Sequence, residues 1–180
     1  MIDKLFYQSN QVSWSFLDKK VSVELDHIIT ASENTTNRYI IIDTGEKFIS
    51  TRVYYYSFDG NLLMMYDLPK GLLEWSFNGH INKITTEELR DVGYFISNKT
   101  ILIMSQLEKT NITALNLNGD YLYEISSLEG YEMKFFQELP EHVSIVCDGD
   151  TNHIDKFGRN RVNFKLDIST GKLSKGGIAY

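Results

Sequence analysis

The amino-acid sequence predicts an all-β protein, and two observations support this fold class. Apolar and polar residues alternate along many short segments, as they do on strands that have one buried face. Three pairs of these segments are joined by turns that contain glycine, namely Asp59-Gly60, Asn118-Gly119 and Thr170-Gly171. Glycine adopts the positive φ that a tight hairpin requires. We therefore predict antiparallel hairpins along most of the chain.

The predicted strands are short and follow one another closely. They are enriched in β-branched and aromatic residues, and polar or glycine-containing turns separate them. In chain order they are Val12–Phe16, Val21–Leu25, Ile28–Ser32, Tyr39–Asp43, Val53–Phe58, Leu62–Asp67, Leu72–Phe77, Tyr94–Ser97, Ile101–Ser105, Ile112–Leu117, Tyr121–Ile125, Glu132–Phe136, Val143–Cys147, Val162–Ile168 and Lys172–Lys175.

One segment is predicted to be helical. In TTEELRDVG, Thr85 has the position of an N-cap and Glu88 lies three residues later, which is the spacing of a capping box. Gly93 follows at the position where glycine commonly ends a helix. The sequence therefore predicts one short helix near residues 86–92, inserted into a β protein.

The three glycine hairpins belong to a larger repeat. Each is preceded by a short apolar strand, YIIID, TILIMS or VSIVC, and each apolar strand is preceded by a further candidate strand. A repeat unit is therefore four antiparallel strands, with the glycine turn between the third and the fourth. The apolar strands of the three units begin at Tyr39, Ile101 and Val143.

This unit resembles the blade of a β-propeller, in which the outer strands are commonly joined by a turn of the FDG or STG kind. The resemblance covers roughly residues 26–180 and implies three propeller-like four-strand units, preceded by a β-hairpin in residues 1–25. Because closed propellers have about four to eight blades, it implies a partial or small propeller-like stack in a single domain, residues 1–180. An antiparallel β-sandwich or barrel is the alternative.

Charge and hydropathy narrow the classes of partner. Eighteen Lys and Arg residues stand against 24 Asp and Glu residues, which gives a formal net charge of −6. Such a surface repels phosphate backbones, so we expect no nucleic-acid partner.

The sequence has neither a signal peptide nor an apolar run long enough to span a membrane, so we expect a soluble cytoplasmic chain with no membrane partner. The single cysteine, Cys147, lies in the apolar run VSIVC, where we expect a buried, unreactive thiol.

The sequence carries no recognisable catalytic or cofactor-binding motif. It lacks a nucleophile elbow, a P-loop and a dinucleotide-binding glycine pattern, and its four histidines are isolated. In CDGDTNHIDKFGRN, Asp148, Asp150 and Asn152 have the oxygen spacing of a calcium loop, and Asp155 adds a fourth side chain. The sixth and twelfth positions of that loop, however, hold His153 and Arg159 instead of glycine and glutamate. We therefore predict no catalytic residue, no cofactor and no required metal.

An acidic β protein without a catalytic motif resembles, as a class, the immunity proteins that bacteria pair with secreted toxins, including those of contact-dependent growth-inhibition systems. The resemblance implies a non-catalytic protein that covers the active site of a cognate toxin. A toxin with a basic active-site cleft, such as a nuclease, is the implied partner. Two alternatives remain: a scaffolding module that self-associates through exposed strand edges, and an enzyme or small-ligand binder that uses the central face of the propeller.

If the chain is an immunity protein, the segments that depart from the repeat are where partner contacts are expected, because loops on a rigid scaffold usually carry binding groups. The candidate partner-binding residues fall into two acidic clusters and one aromatic anchor. They are Asp148, Asp150 and Asp155 in the long loop, Glu87, Glu88 and Asp91 in the predicted helix, and Trp75.

Overall fold

The computed structural model describes residues 2–139 and 142–179. The chain divides into two compact units, Met1–Thr86 and Glu87–Tyr180.

Unit 1 contains two antiparallel sheets, one three-stranded in the order β1-β2-β3 and one six-stranded in the order β4 to β9. All neighbouring strands in these sheets are consecutive in sequence, so both sheets are meanders. The strands are β1 Asp3–Gln8, β2 Gln11–Phe16, β3 Lys19–Glu24, β4 Ile28–Asn34, β5 Tyr39–Glu46, β6 Ile49–Ser57, β7 Leu62–Asp67, β8 Leu72–Phe77 and β9 His80–Thr85.

Unit 2 contains two four-stranded antiparallel meanders, β10 to β13 and β14 to β17. Single turns of 3₁₀ helix occur at Ile96–Asn98 and Thr151–His153. The strands are β10 Leu89–Phe95, β11 Thr100–Gln106, β12 Thr110–Asn116, β13 Tyr121–Ile125, β14 Tyr131–Leu139, β15 His142–Gly149, β16 Arg161–Asp167 and β17 Lys172–Ile178.

The all-β fold and its propeller-like four-strand repeats are confirmed. The two sheets of unit 2 are four-stranded repeats of the predicted kind, and β4 to β7 form the first repeat. In unit 1 that repeat is extended by β8 and β9, and β1 converts the predicted N-terminal hairpin into a three-stranded sheet. None of the four sheets closes into a barrel within the described residues, because each has two edge strands. The expectation of a single domain stays a prediction.

The predicted helix near residues 86–92 is wrong. Thr85, its proposed N-cap, is the last residue of β9, and Leu89–Phe95 forms β10, which pairs with β11. Between the two strands Glu88 adopts a left-handed φ of 51°. A two-turn helix has a costly nucleus and few internal hydrogen bonds. Pairing with β11 and burial of Leu89, Val92 and Tyr94 outweigh the local capping preference.

Two of the predicted glycine turns share one geometry. In each, the loop glycine donates its N–H to the carbonyl three residues earlier: Gly60 to Ser57 and Gly119 to Asn116. Both glycines have a φ of 92°, whereas Asn118 has no positive φ, so the turn has a single left-handed residue. This is a three-residue loop that ends in a glycine bulge, not the two-residue turn with two left-handed residues that the Asn118-Gly119 pair predicts.

The sheets of each unit are held together by an apolar core and by a polar contact to a hairpin. In unit 1, Trp14 is 1% exposed and its indole Nε1 donates to the carbonyl of Phe58 at 2.6 Å. In unit 2, the hydroxyl of Tyr123 donates to the carbonyl of Ile168, and its ring packs over Gly171. Both carbonyls belong to the residue that follows the third strand of a repeat. The same packing device therefore occurs in both units.

Candidate functional site

A groove of about 850 Å³ lies at one end of the unit 2 sheets. It forms where β11 and β15 end and where β12, β14 and β16 begin, since antiparallel neighbours bring alternate strand ends to the same side. Its lining residues are Gln106, Glu108, Lys109, Thr110, Ser127, Leu128, Glu129, Gly130, Tyr131, Glu132, Asp148, Gly149, Asp150 and Asn160. We call this the acidic groove.

Backbone hydrogen bonds fix the walls of the acidic groove. Asp150 donates its backbone N–H to the carbonyl of Gly130 at 2.9 Å, which ties the end of β15 to the segment before β14. The backbone N–H of Gly149 donates to the carbonyl of Asn160 at 2.9 Å. The side-chain amide of Asn160 in turn donates to the carbonyl of Gly149 at 2.6 Å. The groove is therefore a formed feature of the fold.

The lining of the groove has an excess of acidic side chains, although Glu132 and Asp148 pair with Lys134 and Arg161, which lie outside the lining. Its lining carries five carboxylates and one lysine. Within the described part of the chain, Glu108 and Glu129 take part in no ion pair. Both residues are exposed, so they are available to a cationic ligand without the loss of an existing internal bond. The lining was not predicted from the sequence as a set, because its five carboxylates come from three segments that are distant in the chain.

Two of the predicted residues, Asp148 and Asp150, line the acidic groove. Asp148 accepts two hydrogen bonds from the guanidinium of Arg161, at 2.7 and 3.0 Å, and these bonds hold its pKa below the usual range. Asp150 lies 2.7 Å from Nδ1 of His153, and that contact lowers the pKa of Asp150. Both carboxylates contribute negative charge, but each already has a partner inside the unit.

Asp155, the third predicted residue of the long loop, faces its own loop instead of the groove. Its carboxylate accepts hydrogen bonds from the backbone N–H groups of Phe157 at 2.8 Å and Arg159 at 2.9 Å, and from Nε of Arg159 at 2.9 Å. The bonds from Arg159 and Phe157 hold the pKa of Asp155 below its ordinary value. Its role in the structure is to organise the loop.

The second predicted cluster is divided by the fold. Glu87 and Glu88 are exposed in the turn before β10, and the Glu88 carbonyl accepts a hydrogen bond from the N–H of Gln106, a residue of the groove lining. Asp91 is partly buried, and its carboxylate accepts from the N–H of Phe136 at 2.7 Å, which ties β10 to β14. Glu88 therefore lies beside the acidic groove, whereas Asp91 has a structural bond.

The proposed aromatic anchor is wrong. Trp75 is 2% exposed in β8 of unit 1, so its ring belongs to the core and is not available to a partner. On β8 the buried residues Leu73 and Trp75 alternate with the partly buried residues Leu72 and Glu74. That alternation is the signal that places Trp75 on the inner face.

No metal cluster is apparent in the calcium-like segment. Asp148 binds Arg161, and Asp155 binds Arg159, so two of the oxygen ligands that the spacing suggested are already engaged by cations. Within residues 2–139 and 142–179, no group of three or more His, Cys, Asp or Glu side chains is arranged to hold a metal ion. The same described residues contain no helix with the length and apolar character needed to cross a membrane.

Comparison with known proteins does not assign the chain to a family. No protein-family model matches the chain, and no curated protein matches it. Among solved structures, it is similar to a protein of unknown function from Bacteroides caccae, with 11% identity and a TM-score of 0.38 over 99% of this chain and 57% of that one.

Two further structures are similar at the same level. The dihydro-haem d1 dehydrogenase NirN is 10% identical, with a TM-score of 0.46 over 95% of this chain and 43% of its own. A 6-phosphogluconolactonase-like protein from Bacteroides fragilis is 9% identical, with a TM-score of 0.45 over 93% of this chain and 65% of its own. The chain spans less than two thirds of each of the three proteins.

Proposed function

We propose that this protein is a non-catalytic immunity protein that neutralises a bacterial toxin by covering the toxin's active site with the acidic groove. The observation that carries the proposal is the groove itself, because it presents five carboxylates and one lysine on a formed surface of unit 2. A toxin whose active site is a cationic cleft, as in a nuclease, is the complementary partner. The proposal assigns no catalytic residue and no cofactor to this chain.

Electrostatic complementarity gives such a pair both speed and selectivity. A cleft lined by one sign of charge steers an oppositely charged partner and raises the association rate. The net charge of −6 extends this attraction beyond the contact itself. Glu108 and Glu129 are the residues expected to contribute most at the contact, since neither has an internal ion pair among the described residues. The proposed location is the cytoplasm, where the toxin would act on the producing cell.

The test is binding to, and protection from, the product of the adjacent upstream gene. The groove variant carries Glu108→Lys and Glu129→Lys. The matched control carries Asp3→Lys and Glu124→Lys, which makes the same change in net charge at exposed positions outside the groove. We expect the groove variant to lose co-purification and protection from growth arrest, and the control to keep both.

Two outcomes contradict the proposal. If the groove variant and the control bind and protect equally well, the acidic groove is not the contact surface. If no neighbouring gene product binds the wild-type chain, the immunity function itself is rejected. Association of the wild type should also slow as salt is raised, because screening shortens the reach of the groove's charge.

A further inference from the structure

The loop between β15 and β16 presents a cationic, aromatic tip, residues 154–159, which we call the cationic loop. Phe157 is 69% exposed and Ile154 is 48% exposed. The ammonium of Lys156 lies 5.0 Å from the centroid of the Phe157 ring, and the guanidinium of Arg159 lies 4.9 Å from it. The tip therefore places an exposed aromatic ring beside two basic side chains, on a chain with a net charge of −6.

The cationic loop is held in one conformation before any partner arrives. Asp155 accepts three hydrogen bonds from Phe157 and Arg159, and its own N–H donates to the carbonyl of Arg159 at 2.8 Å. Gly158 closes the turn with a φ of 79°. A preorganised loop loses little conformational entropy on binding, so an exposed aromatic residue on it can act as an anchor.

The acidic groove and the cationic loop of unit 2 are complementary in both charge and polarity. The groove offers carboxylates together with Leu128 and Tyr131, and the loop offers the ammonium of Lys156 together with Phe157. Asp150 and Asn160, which flank the loop in sequence, both line the groove. The loop therefore rises from the rim of the groove.

We propose that the cationic loop of one copy of this protein docks in the acidic groove of a second copy, and that the second loop docks reciprocally in the first groove. A surface that carries both complementary halves side by side is self-complementary across a two-fold axis, which is the rule for symmetric dimers. Phe157 enters the groove as the anchor and Lys156 meets the groove carboxylates. Arg159 stays bound to Asp155 and holds the loop in shape.

The dimer has a consequence for the groove, because the same carboxylates cannot meet a toxin while a second copy occupies them. Self-association would mask the groove until a more strongly basic partner displaces the loop. The dimer itself does not depend on the proposed function, and its test contains no toxin. Failure of one proposal therefore leaves the other to be judged separately.

The first experiment is sedimentation equilibrium of residues 1–180 at protein concentrations up to about 1 mM, the range in which weak specific contacts are populated. We expect a dimer whose dissociation constant rises with salt. Phe157→Ala should weaken the dimer about tenfold or more, as the loss of a buried aromatic anchor does. The control is Phe48→Ala, since Phe48 is 90% exposed on a hairpin of unit 1 and should leave the dimer unchanged.

The second experiment is a charge exchange. Lys156→Glu and Glu129→Lys should each abolish the homodimer, because each places like charges together in both contacts. Mixed in equal amounts, the two variants should form a heterodimer, since both contacts then pair opposite charges again. Recovery on mixing also shows that neither variant has simply failed to fold.

Three results would overturn the inference. The wild-type chain could remain monomeric over the whole concentration range. The dimer could survive both charge reversals and Phe157→Ala, which would place the interface elsewhere. The two charge variants could each remain folded by circular dichroism and yet fail to associate when mixed, which would exclude contact between the loop and the groove.

Discussion

Asp67 shows, at the scale of one residue, how a carboxylate is kept ionised almost entirely out of water. Its side chain is 3% exposed, and it accepts a hydrogen bond from Nε of Arg52 at 2.7 Å and from the N–H of Lys70 at 3.1 Å. Burial opposes ionisation, but these bonds and the nearby positive charges outweigh it and hold the pKa of Asp67 below its ordinary value. The ionised state of Asp67 therefore depends on the hydrogen bonds from Arg52 and Lys70, and those two residues depend on Asp67 as their acceptor.

Replacing Asp67 with asparagine should lower the free energy of unfolding at pH 7 by about 1–3 kcal/mol, because Arg52 and the Lys70 N–H lose a charged acceptor. Since the pKa is lower in the folded state, the stabilisation is complete above the unfolded pKa of about 4 and is lost as pH falls through the folded pKa. The difference between wild type and variant should therefore shrink below about pH 4. Urea unfolding across this range measures it.

The control for this prediction is Asp3→Asn, which removes an exposed carboxylate from β1. It should change stability little at any pH. A constant difference between Asp67→Asn and wild type from pH 7 down to pH 2 would show that ionisation of Asp67 contributes nothing.

Gly119 is a second residue whose role is local, since its φ of 92° lies where side chains are strained. Gly119→Val should lower the free energy of unfolding by about 1–3 kcal/mol through backbone strain. Gly177→Val is the matched control, because Gly177 has no positive φ and open space around it. Equal losses in the two variants, measured by urea unfolding, would mean that the turn conformation is not the cause.

At the scale of elements, strand pairing decides segments that have competing local signals. The segment TTEELRDVG combines a capping box with a final glycine, yet it forms the end of β9, a turn and the start of β10. The N–H of Thr86 donates to the carbonyl of Gly71, and the carbonyl of Glu88 accepts from the N–H of Gln106. Both bonds join residues distant in sequence, which no local signal describes.

The turn at Glu88 gives a test with opposite signs for the two conformations. In a helix, Glu88→Ala would be more stable than Glu88→Gly by about 1 kcal/mol. At the observed φ of 51°, glycine avoids the left-handed penalty that alanine has, so Glu88→Gly should be the more stable variant by about 1 kcal/mol. Both variants lose the same side chain, and thermal unfolding ranks them. If Glu88→Ala is the more stable variant, the result supports the predicted helix and contradicts the left-handed turn at Glu88.

At the scale of the whole molecule, Cys147 reports on the integrity of unit 2. Its side chain is 0% exposed in the core, and burial, reinforced by the nearby Asp148 carboxylate, raises its pKa to about 12. A thiol in this state is protonated and inaccessible, as the sequence predicted from the run VSIVC. Its reaction with a reagent requires the core to open.

In the native protein, Cys147 should not react with dithionitrobenzoate at pH 8, and it should react in full in denaturant. Any slow native reaction should follow the opening of unit 2. The control variant combines Cys147→Ala with Ser174→Cys, which places the single thiol at an exposed position of β17 and should react at once. Rapid labelling of native Cys147 would contradict the buried core of unit 2.

Local sequence was sufficient for most strands and for the positions of the glycine turns, but not for the type of turn at Asn118-Gly119. Alternation placed β7, β8 and β13 at their observed bounds, and Gly60, Gly119 and Gly171 all adopt a positive φ. These features are determined locally, because side-chain alternation follows from the pleat and positive φ from the absence of a Cβ atom. The strands β1 and β9 were not predicted, because most of their residues are exposed and the alternation of apolar and polar residues in them is weak.

The site was decided by the tertiary structure. From sequence, Asp148, Asp150 and Asp155 were equivalent acidic residues, but folding placed two of them in a groove and turned the third into its own loop. Glu108 and Glu129 joined the groove only because β11, β14 and β15 bring their ends together. Alternation shows which side of a strand a residue occupies, whereas the role of a charged side chain depends on the donors that distant strands place beside it.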